Sequence, residues 1–133
     1  MPRRLLLSLA IGAVATLSAG SVSDIAPAAP NTNQCFLSRD WEGWKASKDA
    51  TAIYLRVRIH DFYRLDLTSA CPELQWPDSH IVSIERGSDW ICSPLDLDLK
   101  VTQDHGIPTP CIVKGITRLT DDEAAALPKD EKP

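Results

Sequence analysis

Ile53-Tyr54-Leu55-Arg56-Val57-Arg58-Ile59-His60, followed directly by Asp61-Phe62-Tyr63-Arg64-Leu65-Asp66-Leu67, is the stretch that decides the fold. Its apolar residues recur at every second position. Ile53, Leu55, Val57 and Ile59 share one face, and Tyr54, Arg56, Arg58 and His60 share the other. A period of two is that of a half-buried strand. Tyr63, Leu65 and Leu67 repeat the pattern, so a turn near Ile59–Asp61 is expected to close a hairpin. Further along, Leu95, Leu97, Leu99 and Val101 alternate with Asp96, Asp98 and Lys100, which predicts another strand with its leucines inward. Ile81–Glu85 reads as a shorter strand ended by Gly87-Ser88-Asp89, and Trp90–Cys92 is expected to pair with it. Ile112–Arg118 reads as a last strand with a bulge at Gly115, because Val113 and Ile116 fall out of phase. Trp41–Trp44 opens the first strand, with Lys48-Asp49 at its turn. Thr120 and Glu123 form a capping box for one short helix that Pro128 ends. The fold class expected is all-β: a small antiparallel sheet, sandwich or barrel of about five to seven strands, with a short C-terminal helix and two disulfides.

Upstream of this region, Arg3 and Arg4 precede an apolar run over Leu5–Leu17 and the small residues Ser18-Ala19-Gly20. Basic, apolar and small blocks in that order make a secretory signal, read as residues 1–20. The apolar run is shorter than the ~20 residues of a membrane span. Residues 21–33 carry two prolines and no apolar period, as a flexible leader does. Residues 34–128 then form a single domain, and residues 129–133 read as a solvated tail. Loss of Arg3 and Arg4 with the signal takes the formal charge from −4 to −6. An acidic surface argues against nucleic acid or anionic lipid as the partner. No stable membrane span is expected after cleavage, and the location expected is periplasmic or secreted.

The four cysteines are Cys35, Cys71, Cys92 and Cys111. An even count in a short exported chain implies two disulfides. Cys71 precedes one strand pair and Cys92 lies within it, which favours Cys71–Cys92, leaving Cys35–Cys111 to tie the ends of the domain. No Cys-x-x-Cys occurs, so thiol redox chemistry and zinc ribbons have no motif here.

Candidate chemistry is sparse. His60-Asp61 and Asp104-His105 are the only His–Asp neighbours, and a metal could be held if their loops met. Both also read as polar turn tips. Asp96 and Asp98 would sit ~7 Å apart on one strand face, where Lys100 continues a solvated stripe. No Gly-x-Ser-x-Gly and no phosphate-binding glycine loop is present, so no catalytic residue and no cofactor is assigned. Four tryptophans are many for this length. Trp90, two residues from Cys92, is expected in the core. Trp41 and Trp76, with Tyr54, Arg56 and Arg58, make the candidate binding surface.

A spread pattern runs through these segments: Cys35-Phe36-Leu37-Ser38-Arg39-Asp40, Trp44, Tyr54 to Leu67, Cys71-Pro72-Glu73-Leu74, Ile91-Cys92, Leu95-Asp96-Leu97, and Cys111 to Thr120. It resembles a family of short exported bacterial proteins grouped as a domain of unknown function. The resemblance covers about residues 35–128. It implies that the four cysteines belong to one domain plan, and it implies no activity. The function expected is a non-catalytic envelope binding or accessory protein, acting on an envelope protein or a small ligand. A sharper form is an inhibitor of a basic envelope-directed enzyme such as a lysozyme. The alternative is a metal-dependent enzyme or metal carrier using His60, Asp61, Asp104 and His105.

Overall fold

The computed structural model describes residues 34–104 and 106–133. The expected signal and leader, residues 1–33, and His105 lie outside the described residues. Among the described residues nine strands follow in order: β1 (Phe36–Leu37), β2 (Trp41–Ala46), β3 (Ala52–Val57), β4 (Asp61–Leu67), β5 (Ser79–Glu85), β6 (Trp90–Ile91), β7 (Leu97–Gln103), β8 (Thr109–Pro110) and β9 (Val113–Arg118). One helix, α1 (Asp121–Ala126), closes the order. The chain is all-β with two disulfides, as expected. Its strand count exceeds the expectation because β1 and β8 are two-residue strands, too short to leave a period in the sequence.

All strand pairs are antiparallel. The larger sheet has the order β2-β3-β4-β9, a second has the order β5-β7-β8, and β1-β6 form a small third. β8 and β9 are separated only by Cys111 and Ile112, so one bent segment belongs to both larger sheets. Cys111 N–H donates to the Leu99 carbonyl of β7, and Thr68 N–H, just past β4, donates to the Ile112 carbonyl. The two sheets are therefore one rolled surface, β2-β3-β4-β9/β8-β7-β5, whose free edges are β2 and β5. Both sheets turn their apolar faces to one interior. Ile53, Leu55 and Val57 meet Tyr63, Leu65, Leu67 and Val113 from one side and Leu97, Leu99 and Val101 from the other. The result is a small barrel left open along one seam.

The hairpin forms as its period predicts, with Ile53 opposite Leu65 and Leu55 opposite Tyr63. Ile59 lies in the turn and is 72% exposed. Arg58 takes a left-handed φ of 55° there, and its backbone N–H and guanidinium both donate to Asp40. These bonds offset the ~1–2 kcal/mol that this conformation costs a side-chain-bearing residue. The bulge expected near Gly115 is present: Gly115 faces Asp66 while Val113 faces Leu67. The Thr120–Glu123 capping box also forms.

Several expectations are corrected. The disulfides are Cys35–Cys92 and Cys71–Cys111, not Cys71–Cys92 and Cys35–Cys111. Phe36 pairs with Ile91 and Leu37 with Trp90. One step further, that register sets Cys35 opposite Cys92. Trp90–Ile91 therefore pairs with β1, and β5 takes β7 as its partner instead. Ile91 is fully buried, so strand alternation turns Trp90 outward, where it is 51% exposed. Leu95 is 80% exposed rather than inward, because Pro94–Asp96 is a 3-10 turn. There the Asp96 carboxylate accepts from the N–H groups of Cys92 and Ser93. Asp96 is thus a cap, while Asp98 pairs with Arg86 and Lys100.

The tail is not merely solvated. Glu131 accepts from the Lys48 N–H at 2.9 Å, and the Lys132 ammonium lies 5.8 Å from the Phe62 ring centre. The C-terminal residues thus lie back across the outer face of the larger sheet.

The β2–β3 turn yields a pH prediction. One oxygen of Asp49 accepts from the hydroxyls of Ser47 (2.6 Å) and Thr51 (2.8 Å) and from the Thr51 N–H (3.1 Å). Led by the Ser47 hydroxyl, these donors hold the carboxyl at about 2, below its usual 3.8. A depressed carboxyl contributes stability above its unfolded pKa and loses it as pH falls through the folded value. Asp49→Asn is therefore expected to melt below wild type from neutral pH down to pH 4. The gap should close between pH 4 and 2, and thermal melts across that range check it.

Candidate functional site

The open seam is a cleft. Its first cavity, of about 280 Å³, is lined by Ser38, Trp41, Glu42, Gly43 and Trp44 on the β2 side and by Ile81 and Ser83 on the β5 side. A second cavity, of about 310 Å³, continues along β2 past Trp44, Lys45 and Ala46. It runs to the 3-10 turn Pro72–Gln75 and to Trp76, Asp78 and Asp130. Trp44 belongs to both cavities. Trp41 and Trp44 pack one edge against the core, and the Trp41 indole N–H donates to the Gly43 carbonyl at 3.1 Å. Trp76 stands 47% exposed at the far end. Glu42, Asp78 and Asp130 outnumber Lys45 on the walls.

The backbone of both walls is open. Ser47 N–H donates to Ala52 O, so in the β2–β3 register the bonded positions are Ser47 and Lys45. The alternation of antiparallel ladders then aims the N–H and C=O of Trp44 and Ala46 away from β3. On the other wall, Arg86 N–H donates to Asp96 O, so Ile84 and Val82 are the positions bonded to β7. Ile81 and Ser83 turn their backbone groups to the seam. Two open sheet edges thus face one tryptophan-lined cleft.

The expected surface residues divide. Trp41 lines the first cavity, with Ile81 and Ser83 opposite, and Trp76 lines the second, with Trp44 shared between the two. Tyr54, Arg56 and Arg58 line neither. Tyr54 is only 7% exposed, with the Arg64 guanidinium 5.9 Å from its ring centre. Arg56 lies 3.5 Å from Glu42, on the face where the C-terminal residues pack. Arg58 bridges to Asp40 at 2.7 Å. Tyr54 and Arg56 share the outer face of β3 with Arg64 and the C-terminal residues, while Arg58 lies past its end in the exposed turn.

A further cavity of about 360 Å³ lies beside the Cys35–Cys92 bond, lined by Arg58, Asp40, Asp61, Arg118, Tyr63 and Trp90, among others. Each arginine there is paired with an aspartate, Arg58 with Asp40 and Arg118 with Asp61, so the charges cancel locally. The Tyr63 hydroxyl donates to the Cys35 carbonyl at 3.2 Å, and burial pushes its pKa up.

For the metal candidates, His60 is an exposed turn residue and Asp61 is the partner of Arg118. Asp104 follows β7 at the end of the other sheet. Among the described residues no group of three or more His, Cys, Asp or Glu is placed to hold a metal ion. Also among them, no helix is long and apolar enough to cross a membrane.

The fold and cleft define a class: a small disulfide-stapled, all-β domain, rolled into a barrel with one open seam. The chain belongs to the Family of unknown function (DUF6491), whose model matches residues 3–133. No curated protein and no solved structure matches it.

Proposed function

We propose that this protein is a non-catalytic binding or accessory protein of the periplasm or cell exterior, and that the β2–β5 cleft is its binding surface. The observation that carries this is the placement of Trp41, Trp44 and Trp76 along two adjoining cavities that share Trp44 and border the β2 and β5 edges. Aromatic side chains offer large contact area at low conformational cost, which is why they dominate binding hot spots. Two disulfides suit an oxidising compartment, and the signal-like residues 1–20 point the same way. The acids on the cleft walls and the net negative charge favour a basic partner. A basic envelope-directed hydrolase, inhibited by occupation of its own cleft, is one such partner.

Site-directed photo-cross-linking in the producing cell tests this. A benzophenone side chain at Ser83 or Trp76 is expected to give a discrete adduct, and one at Ile59 or Leu95 none. Adducts formed only from Ile59 or Leu95 would move the binding surface off the cleft.

A further inference from the structure

We infer that the ligand of the cleft is an extended, cationic polypeptide segment of a partner protein, which docks by adding a strand to the open seam. This rests on the cleft being the binding surface and goes beyond it by naming the ligand chemistry. The backbone carries the argument. Trp44 and Ala46 on one wall, and Ile81 and Ser83 on the other, each present an N–H and a C=O that the ladders to β3 and β7 leave unused. Such groups repeat every second residue, the spacing at which an extended chain presents its own donors and acceptors. A sugar or a compact small molecule has no such repeat.

Edge strands left open in this way invite pairing, and many proteins blunt them with lysine, proline or a bulge. β2 carries its bulge at Glu42, between Trp41 and Gly43. The run from Trp44 to Ala46 stays regular and carries a single lysine, Lys45, which the acids Asp78 and Asp130 of the same cavity outnumber. Along β5, Ile81 and Ser83 line the cleft without any charge between them. The tryptophans would take alternate apolar side chains of the docked segment. Glu42, Asp78 and Asp130 would take its Lys or Arg residues, since opposite charge raises the rate of encounter and sets register.

The test uses the disulfide-intact protein as the target of a displayed library of random linear peptides, with backbone amide exchange followed by NMR. Enriched peptides are expected to alternate Lys or Arg with apolar residues. Their binding should slow exchange at least tenfold at Trp44 and Ala46, at Ile81 and Ser83, or on both walls. Methylating alternate peptide nitrogens should weaken binding at least tenfold while leaving the protein untouched, and so should replacing the peptide's Lys and Arg by Glu. Ala46→Pro and Ser83→Pro remove one seam-facing donor each, on edges where proline is tolerated, and should also weaken binding.

Peptides that are acidic or proline-rich, or that bind without slowing these amides, would overturn the inference, as would the absence of any enrichment. So would a dimer in sedimentation with the same amides already protected, which would make a second copy the occupant. Failure here with cross-links still forming at Ser83 and Trp76 would remove the extended ligand and leave the cleft. Failure of both would remove the cleft as well.

Discussion

Replacing Cys71 and Cys111 together by alanine is expected to lower the melting temperature by roughly 15–30 °C. The bond joins residues 40 apart in sequence. Releasing a loop of that length returns ~4 kcal/mol of chain entropy to the unfolded state. For a domain of this size each kcal/mol moves the midpoint by ~4–8 °C. Both cysteines belong to the buried core, and the bond anchors the bent β8–β9 segment, which joins the two larger sheets, to the chain just after β4. Its loss therefore loosens the barrel where the sheet changes direction. The Cys35–Cys92 bond spans 57 residues, and its chain-entropy contribution is nearly equal because the dependence on length is logarithmic. It clips the small β1–β6 sheet instead. Thermal melts of the two double variants, each without reductant, check both values. A shift under 5 °C for the Cys71/Cys111 pair would contradict this account of what holds the corner.

Leu65→Ala is expected to cost about 3 kcal/mol, within the ~2–5 kcal/mol range for such truncations. Leu65 is fully buried on β4, between Ile53 of β3 and Ile116 of β9. Strands pin its backbone on both sides, so the site has little freedom to collapse into the void. Leu95→Ala is the contrast. Its period in the sequence matches that of an inward residue, yet the side chain projects from the Pro94–Asp96 turn into solvent. Its cost should stay within ~0.5 kcal/mol. Urea unfolding of both variants separates them by their midpoints at constant slope. Equal costs would show that Leu95 belongs to the core.

The contrast between these leucines shows where the sequence is legible. Residues whose fate follows from their immediate neighbours read correctly: Ile53, Leu55, Leu65, Leu67, Leu97 and Leu99 from the period of two, and Thr120–Glu123 from the capping box. Leu95 fails because Pro94 and the reach-back of Asp96 interrupt the strand before the period begins. The disulfide pairing and the exposure of Trp90 fail for another reason. Both depend on β1 meeting β6 across more than 50 residues of chain, and two-residue strands carry no period to announce it. The docking of Glu131 onto Lys48 is equally non-local. The cleft was half visible. Trp41, Trp44 and Trp76 stand out by type, while Ile81 and Ser83 line the cleft only because β2 and β5 are edges, a property of strand order. Tyr54 and Arg56 lie apart from the cleft because they point to the outer face of the interior strand β3, beside Arg64 and the C-terminal residues, and Arg58 because it sits in the exposed turn, paired with Asp40.

Amide hydrogen exchange of the free, disulfide-intact protein tests the open seam most directly. The account predicts alternation along both edges. Trp44, Ala46, Ile81 and Ser83 should exchange at least a hundredfold faster than Lys45, Val82 and Ile84, whose N–H groups bond to β3 and β7. Uniform protection along β2 and β5 would contradict it, showing a barrel already closed and no seam for a ligand to enter.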